Sequence, residues 1–128
     1  LSVAQACGTP MLSGVTSLQG SMEALDDGTD ALKFYPSSLV PPMELKSILE
    51  HLRRAYGGHF MDAVPIMGAG GVKQEDIGAY IAAGASGFAI GYDCGLAHTM
   101  ENIYDRVNIA NTHIDQVYHA QHRTMHTM

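Results

Sequence analysis

The sequence has no tryptophan, only two cysteines and little basic charge, and each shortage argues against a class of protein. Seven lysines and arginines stand against thirteen aspartates and glutamates, which gives a formal net charge of −6 over 128 residues. Nucleic-acid binders normally carry a basic stripe, so this balance argues against that function. Cys7 and Cys94 form neither a CxxC motif nor a zinc-ligand spacing. They are typical of reduced thiols in a reducing compartment such as the cytoplasm.

Long hydrophobic runs are also missing. The apolar stretches are far shorter than the roughly 18 residues that a membrane span needs, and no basic amphipathic helix suggests a membrane surface. Apolar residues are nevertheless plentiful, at 46% against 16% charged, so the sequence predicts an ordered domain with a sizeable core. The chain starts at Leu1, and Ala and Leu dominate up to Gly8. This pattern is typical of the last turns of a helix, so we expect the chain to begin inside a fold.

The organising pattern is a repeated unit in which a helix ends at a glycine and a short apolar strand follows. The glycines that open these units are Gly8, Gly28, Gly84 and, more loosely, Gly57, the last leading to a strand predicted at 63–67. Helical spacing of apolar residues covers 18–27, 42–55, 74–83 and 99–120. Short strands that alternate with helices of this length imply βαβ units and a parallel sheet.

The density of these units predicts the fold class. Four units in roughly 110 residues have the length per unit of a (β/α)8 TIM barrel, which needs about 250 residues for all eight units. We therefore expect an α/β fold, the C-terminal half of such a barrel, with a small doubly wound open sheet as the alternative. The half barrel is favoured because Gly87, Ala89 and Gly91 share one strand parity while Phe88 and Ile90 share the other. Small residues on one face suit a crowded barrel interior.

The expected domain organisation is a partial barrel over residues 1–118 and a polar tail over 119–128. The tail carries His119, His122 and His126, which would share one face of a helix and could bind a transition metal. A frayed tail without metal is favoured, because the segment 119–128 itself contains no carboxylate or cysteine and is terminal.

Lys33 is the most informative residue. It shares strand parity with Ala31 and Tyr35, whereas Leu32 and Phe34 would face the helices. The lysine would then point into the barrel near the C-terminal end of its strand, where barrel enzymes hold their active sites. A buried ammonium is costly unless paired, and a lysine that loses its proton is a nucleophile toward ketones and aldehydes. The alternative is a strand-end lysine that reaches solvent or pairs with a carboxylate.

Glycines mark a second candidate site. The segment 68–72 follows a predicted strand and leads into a predicted helix, so backbone N–H groups and the helix dipole could hold an anion. The next strand also ends in a glycine, Gly91. Together Gly70, Gly71 and Gly91 predict a phosphate site, with a tight turn that binds nothing as the alternative. The strand exit at 12–17 offers hydroxyls that could cap the following helix.

Four segments, taken in order, resemble the KDPG/KDPGal aldolases, which cleave 2-keto-3-deoxy-6-phosphogluconate or its galactonate epimer. These segments are Ser13–Ser17, Lys33–Pro36, Gly70–Val72 and Ala82–Gly91. The chain departs from the family where Ser13 and Gly68 replace prolines and where Tyr92 stands in place of a serine that helps to bind phosphate.

The resemblance implies a class I aldolase, a lyase that needs no metal and no organic cofactor. Lys33 would form a Schiff base with the C2 ketone, and cleavage would give pyruvate and glyceraldehyde 3-phosphate. Tyr35 would pack near the Schiff base. Gly70, Gly71 and Gly91 would hold the phosphate, and Thr16 would line the substrate site. The implied partners are the phosphorylated sugar acid, pyruvate and two further copies of the full-length chain, since family members are commonly trimers.

The resemblance also implies that this chain lacks part of the active site. The family's acid/base glutamate and its carboxylate-binding arginine come from the first half of the barrel, so we expect the isolated chain to be inactive. Two alternatives remain at this point. One is an inactive barrel remnant that binds a sugar phosphate or a partner chain. The other is a phosphate-binding barrel similar to thiamine-phosphate synthases, in which Lys33 is incidental.

Overall fold

The computed structural model describes residues 2–90, 111–112 and 114–122, and they form a four-stranded parallel sheet flanked by helices. The strands are β1 Leu12–Val15, β2 Ala31–Phe34, β3 Ile66–Ala69 and β4 Gly87–Ala89. They lie side by side in sequence order, β1-β2-β3-β4. In the register, Lys33 of β2 lies between Gly14 of β1 and Met67 of β3. The predicted parallel α/β sheet is therefore confirmed.

Helices connect the strands in the predicted βαβ manner. They are α1 Ser2–Ala6, α2 Leu18–Asp26, α3 Pro42–Tyr56, α4 Gly58–Asp62 and α5 Ile77–Ala83. Short 3-10 turns occupy Ser37–Leu39 and Gln74–Asp76, and residues 111–112 and 114–122 are also helical. None of the helices in the described part of the chain has both the length and the apolar character needed to cross a membrane.

Local sequence explains where the principal helices begin and end. Ser17 is the N-cap of α2, and its hydroxyl accepts a hydrogen bond from the Gly20 N–H at 3.0 Å. This confirms the predicted capping by a hydroxyl at the exit of β1. Helix α2 is followed by Gly28, whose φ of +86° suits glycine. Pro42 occupies the first turn of α3, where its missing N–H costs nothing.

The hydrophobic core lies between one face of the sheet and the helices. Leu32 and Phe34 of β2 are almost fully buried there, as are Leu52 of α3 and Ile77 of α5. The opposite face of the sheet carries Lys33, which is only half-buried. This alternation confirms that Leu32 and Phe34 face the helices and that Lys33 points away from them. The face that carries Lys33 has no helix layer among the described residues.

Two predicted boundaries are wrong. The third strand was expected at 63–67 but begins at Ile66 and ends at Ala69. Ala63 and Val64 instead complete the end of α4, where their N–H groups donate to Phe60 and Met61 carbonyls. The helix expected from residue 74 starts at Ile77, after a 3-10 turn. Apolar spacing does not distinguish a 3-10 turn from the first turn of an α-helix.

The expected frayed tail is wrong for residues 119–122. These residues are helical, and the helical residues 114–122 run across the expected boundary at 118. Ala120 is buried in the core, and the Gln121 side chain donates to the Ser86 carbonyl at 3.2 Å. Four predicted features lie outside the described residues. They are the strand exit at Gly91 and Tyr92, Cys94, the first half of the helix predicted over 99–120, and His126.

Candidate active site at the carboxyl edge of the sheet

Lys33 lies on the helix-free face of β2, one residue before the strand ends. The neighbouring position on β1 is Gly14, and a Cβ there would lie 3.9 Å from the Lys33 Cε. The lysine stem therefore lies alongside Gly14, at a distance where a small side chain would make ordinary van der Waals contact. The Lys33 Nζ is 5.5 Å from the centroid of the Tyr35 ring. Within the described residues, the one ion pair is Arg53 with Asp62, so no described carboxylate pairs with Lys33.

Tyr35 connects the lysine strand to the glycine turn that follows β3. Gly70 has φ +74°, and a Cβ on it would lie only 2.7 and 2.9 Å from Tyr35 ring carbons. The Tyr35 ring therefore packs directly against the Gly70 backbone, an approach that only glycine permits. The structure thus brings together three of the predicted site residues: Lys33, Tyr35 and Gly70.

Gly71, which has the same φ, faces the loop that follows Tyr35. A Cβ on Gly71 would lie 3.4 Å from Ser38 Cβ and 3.7 Å from its hydroxyl oxygen. Ser38 is a candidate site residue that the sequence analysis did not single out. The sequence feature that could have pointed to Ser38 is its position two residues after the Lys33–Pro36 segment, at the same end of a parallel sheet as the glycine turn. The expected helix dipole beside these glycines is wrong, because α5 begins only at Ile77.

Buried hydrogen bonds fix the loop that carries Tyr35 and Ser38. The Ser37 side chain is fully buried, and its hydroxyl lies 2.9 Å from the Ala69 carbonyl oxygen and 3.2 Å from that of Phe34. The Tyr80 hydroxyl of α5 lies 2.9 Å from the Ser37 carbonyl oxygen. Burial raises the pKa of Tyr80, and the Asp76 carboxylate adds to this, so the phenol stays protonated as the donor. The loop is thereby fastened to the end of β3 and to α5.

The remaining predicted site residues differ in how the structure places them. Thr16 is exposed and follows β1 at the same carboxyl edge, where the Tyr35 N–H donates to the Val15 carbonyl at 3.2 Å. Gly91 lies outside the described residues. In the described part of the chain, no group of three His, Cys, Asp or Glu side chains could hold a metal ion.

A cleft of about 360 Å³ lies elsewhere, between α3, α4 and α5. It opens beside Ile66 at the start of β3, which is the opposite end of the strands from Lys33. Its arginine, Arg53, is engaged with Asp62 at 2.6 Å and holds the pKa of that carboxyl below its usual value. The cleft is therefore separate from the candidate active site.

Gly70 is expected to tolerate alanine poorly. Its positive φ and the Tyr35 ring both oppose a Cβ, so Gly70→Ala should cost about 1–3 kcal/mol of unfolding free energy. The control is Gly78→Ala on α5, where nothing lies within 4 Å of the new Cβ. This control should be stabilised by about 0.5–1 kcal/mol. Urea titrations followed by circular dichroism compare each variant with the parent as a shift of the transition midpoint, and equal midpoints for the two variants would contradict the described packing.

Comparison with solved structures places this fold among known ones, although no family model and no curated protein matches the sequence. The native KDPGal structure covers 91% of this chain with a TM-score of 0.74 and 24% identity. A 4-hydroxy-2-oxoglutarate/2-dehydro-3-deoxyphosphogluconate aldolase covers 91% with a TM-score of 0.61 and 24% identity. The fold of the chain is thus shared with KDPG and KDPGal aldolases, as the sequence resemblance predicted.

Other solved structures share the fold as well. A cube-shaped protein cage, designed by fusing symmetric oligomeric domains, covers 97% of this chain with a TM-score of 0.77 and 23% identity. A thiamine phosphate pyrophosphorylase from Pyrococcus furiosus covers 88% with a TM-score of 0.64 and 18% identity. The chain spans about half the length of these structures, between 42% and 52% of each. At these identities the likeness establishes the fold.

Proposed function

We propose that this chain is the C-terminal half of a (β/α)8 Schiff-base aldolase that cleaves 2-keto-3-deoxy-6-phospho sugar acids. The observation that carries the proposal is the position of Lys33. It lies at the carboxyl end of a central parallel strand, beside the contact between Tyr35 and Gly70, in a fold shared with two aldolases. Active sites of barrel enzymes occupy this end of the strands.

The proposed reaction begins when the neutral Lys33 amine attacks the C2 ketone and water leaves. As the acid/base group of the remaining barrel units removes the proton of the C4 hydroxyl, the protonated imine accepts the electron pair of the C3–C4 bond, which releases glyceraldehyde 3-phosphate and leaves an enamine. Protonation of the enamine at C3 and hydrolysis of the imine return pyruvate and the free amine. The imine is itself the electron sink, so the proposed sequence uses no metal and no organic cofactor. Tyr35 would pack beside the imine, with Thr16 at the neighbouring strand exit.

The open face of the sheet supports the half-barrel part of the proposal. Leu12, Lys33 and Met67 share this face with small residues, and no helix among the described residues covers it, as expected for a face that points into a barrel. The matched structures are about twice as long as the chain, enough for the remaining units.

We call the chain joined to those units, in cis or in trans, the complemented protein. We propose that it is a cytoplasmic trimer, and the designed cage of oligomeric domains is a precedent for assembly by this fold.

The proposed phosphate site gives a test of substrate class. Gly70 and Gly71 form the turn beside the lysine strand, and we propose that they hold the phosphate together with Gly91. The complemented protein should then cleave a 2-keto-3-deoxy-6-phospho sugar acid with a kcat/KM at least about tenfold above that of the unphosphorylated acid, as loss of one charge-assisted contact predicts. Steady-state kinetics with coupled pyruvate detection measures both. Equal values for the two substrates would overturn the phosphate assignment.

A second candidate function follows from the match to the thiamine phosphate pyrophosphorylase. In that case the glycine turn would still bind phosphate, and Lys33 would form no covalent bond. Borohydride treatment with pyruvate separates the two candidates, because only an aldolase of the proposed class forms a reducible imine at Lys33. The higher TM-score of the KDPGal structure, 0.74 against 0.64, favours the aldolase.

A further inference from the structure

Ser38 faces the glycine turn from the neighbouring loop. Its hydroxyl oxygen and backbone nitrogen lie 3.7 and 3.9 Å from the position of a Cβ on Gly71. The Ser38 residue is exposed, and among the described residues its hydroxyl forms no hydrogen bond with the protein. A solvent-facing donor thus lies at the surface of the turn that the proposed function assigns to phosphate.

We propose that the Ser38 hydroxyl donates a hydrogen bond to the substrate phosphate and so helps to select phosphorylated substrates. This inference rests on the proposed function and adds a specificity-determining residue to its site. A phosphate dianion has three terminal oxygens and needs more donors than a single glycine turn offers. The loop that carries Ser38 lies against that turn and can add a hydroxyl to it.

The loop places this hydroxyl before any ligand arrives. The adjacent Ser37 is fully buried and bonded to the end of β3, and Tyr80 of α5 donates to the Ser37 carbonyl. A donor on a backbone that is already fixed loses only side-chain conformational entropy when it binds a ligand. Ser38 therefore differs from a serine on a mobile surface loop, since the residue before it is anchored twice.

The local charge is consistent with an anion as the ligand. Residues 34–43 contain no charged side chain, and cationic residues stand on both sides of the site, Lys33 on β2 and Lys73 after the glycine turn. The described acids nearest in sequence to the turn, Glu75 and Asp76, come after Lys73 in the 3-10 turn that precedes α5. A dianion placed between Ser38 and Gly71 thus has cationic residues on the neighbouring segments.

The test is a titration of the complemented protein with two ligands, inorganic phosphate and glyceraldehyde 3-phosphate, added in separate experiments. Binding is followed by the NMR shifts of the Gly70 and Gly71 amides. Ser38→Ala should raise the Kd of both ligands about tenfold, as expected for a lost hydrogen bond to a charged group. Ser38→Thr should restore most of the affinity. The matched control is Ser47→Ala, an exposed serine on α3, which should bind as the parent does.

The outcomes separate this inference from the proposed function. Trapping of pyruvate on Lys33 should be the same in Ser38→Ala and in the parent, because Ser38 is assigned to the phosphate alone. Equal phosphate affinities for Ser38→Ala and the parent would overturn the inference even if Lys33 traps pyruvate. A parent whose glycine amides do not respond to either ligand would overturn it as well. Serine-dependent phosphate binding without any pyruvate adduct would support Ser38 and overturn the aldolase.

Discussion

Lys33→Ala should abolish the covalent adduct that the complemented protein forms with pyruvate and borohydride. The amine of Lys33 is the proposed nucleophile, and an alanine at this position on the open face of β2 leaves no nitrogen to form an imine. Aldolase turnover should fall to background in the same variant. Intact-mass spectrometry measures the adduct as one reduced pyruvate per chain, and peptide mapping assigns its position.

Two other lysines provide matched controls. Lys46 on α3 and Lys73 after the glycine turn are both exposed, whereas Lys33 is half-buried on the sheet. Lys46→Ala and Lys73→Ala should retain the full adduct. An adduct that maps to Lys46 or Lys73, or one that persists in Lys33→Ala, would show that the proposed chemistry is assigned to the wrong residue.

The 128-residue chain on its own should show little or no turnover, and adding the complementary units should restore it. The proposed acid/base group belongs to those units, and a positioned acid/base group contributes about 10²–10⁴-fold to the rate. Pyruvate release from the phosphorylated sugar acid, measured with the chain alone and after addition of the complementary half, should differ by at least this factor. The amino-terminal half of the matched KDPGal aldolase is one source of the complement.

Separate measurements on the isolated chain test its association and the cooperativity of its unfolding. Its open sheet face exposes Tyr35 and Ala89, and the outer edges of β1 and β4 carry no partner strand among the described residues. Such edges and faces favour association. Light scattering and urea titration should show self-association or a broad, weakly cooperative transition, which the complement sharpens. A monodisperse, cooperatively unfolding monomer with full activity would contradict both the fold assignment and the proposed incompleteness.

Much of the fold was predictable because glycine and apolar spacing act locally. Gly28 marks the end of α2, and the alternation of Leu32, Lys33 and Phe34 fixes which face of β2 meets the helices. The start of β3 was not predictable in this way. The apolar residues Ala63 and Val64 resemble the beginning of a strand, but their N–H groups donate hydrogen bonds to carbonyls of the preceding short helix.

The residues of the candidate site also fall into those that local sequence predicts and those that only the folded structure shows. Lys33 and the glycines stand out in the sequence because their chemistry and spacing are unusual, and Tyr35 follows from its place beside Lys33. The roles of Ser37 and Tyr80 depend on a hydrogen bond between segments 43 residues apart. No local pattern reports such a contact. Ser38 became a candidate only once the neighbouring strands placed its loop against Gly71.

The order of the strands has a consequence for how the domain is built. Within residues 2–90, each strand pairs with the strand that comes next in the sequence, and none of these four strands inserts between two that are already paired. During synthesis each new βα unit can dock on the last edge as it leaves the ribosome, without opening earlier pairs. The same rule applies over evolutionary time, because a unit added at either end extends the sheet and leaves the existing register unchanged.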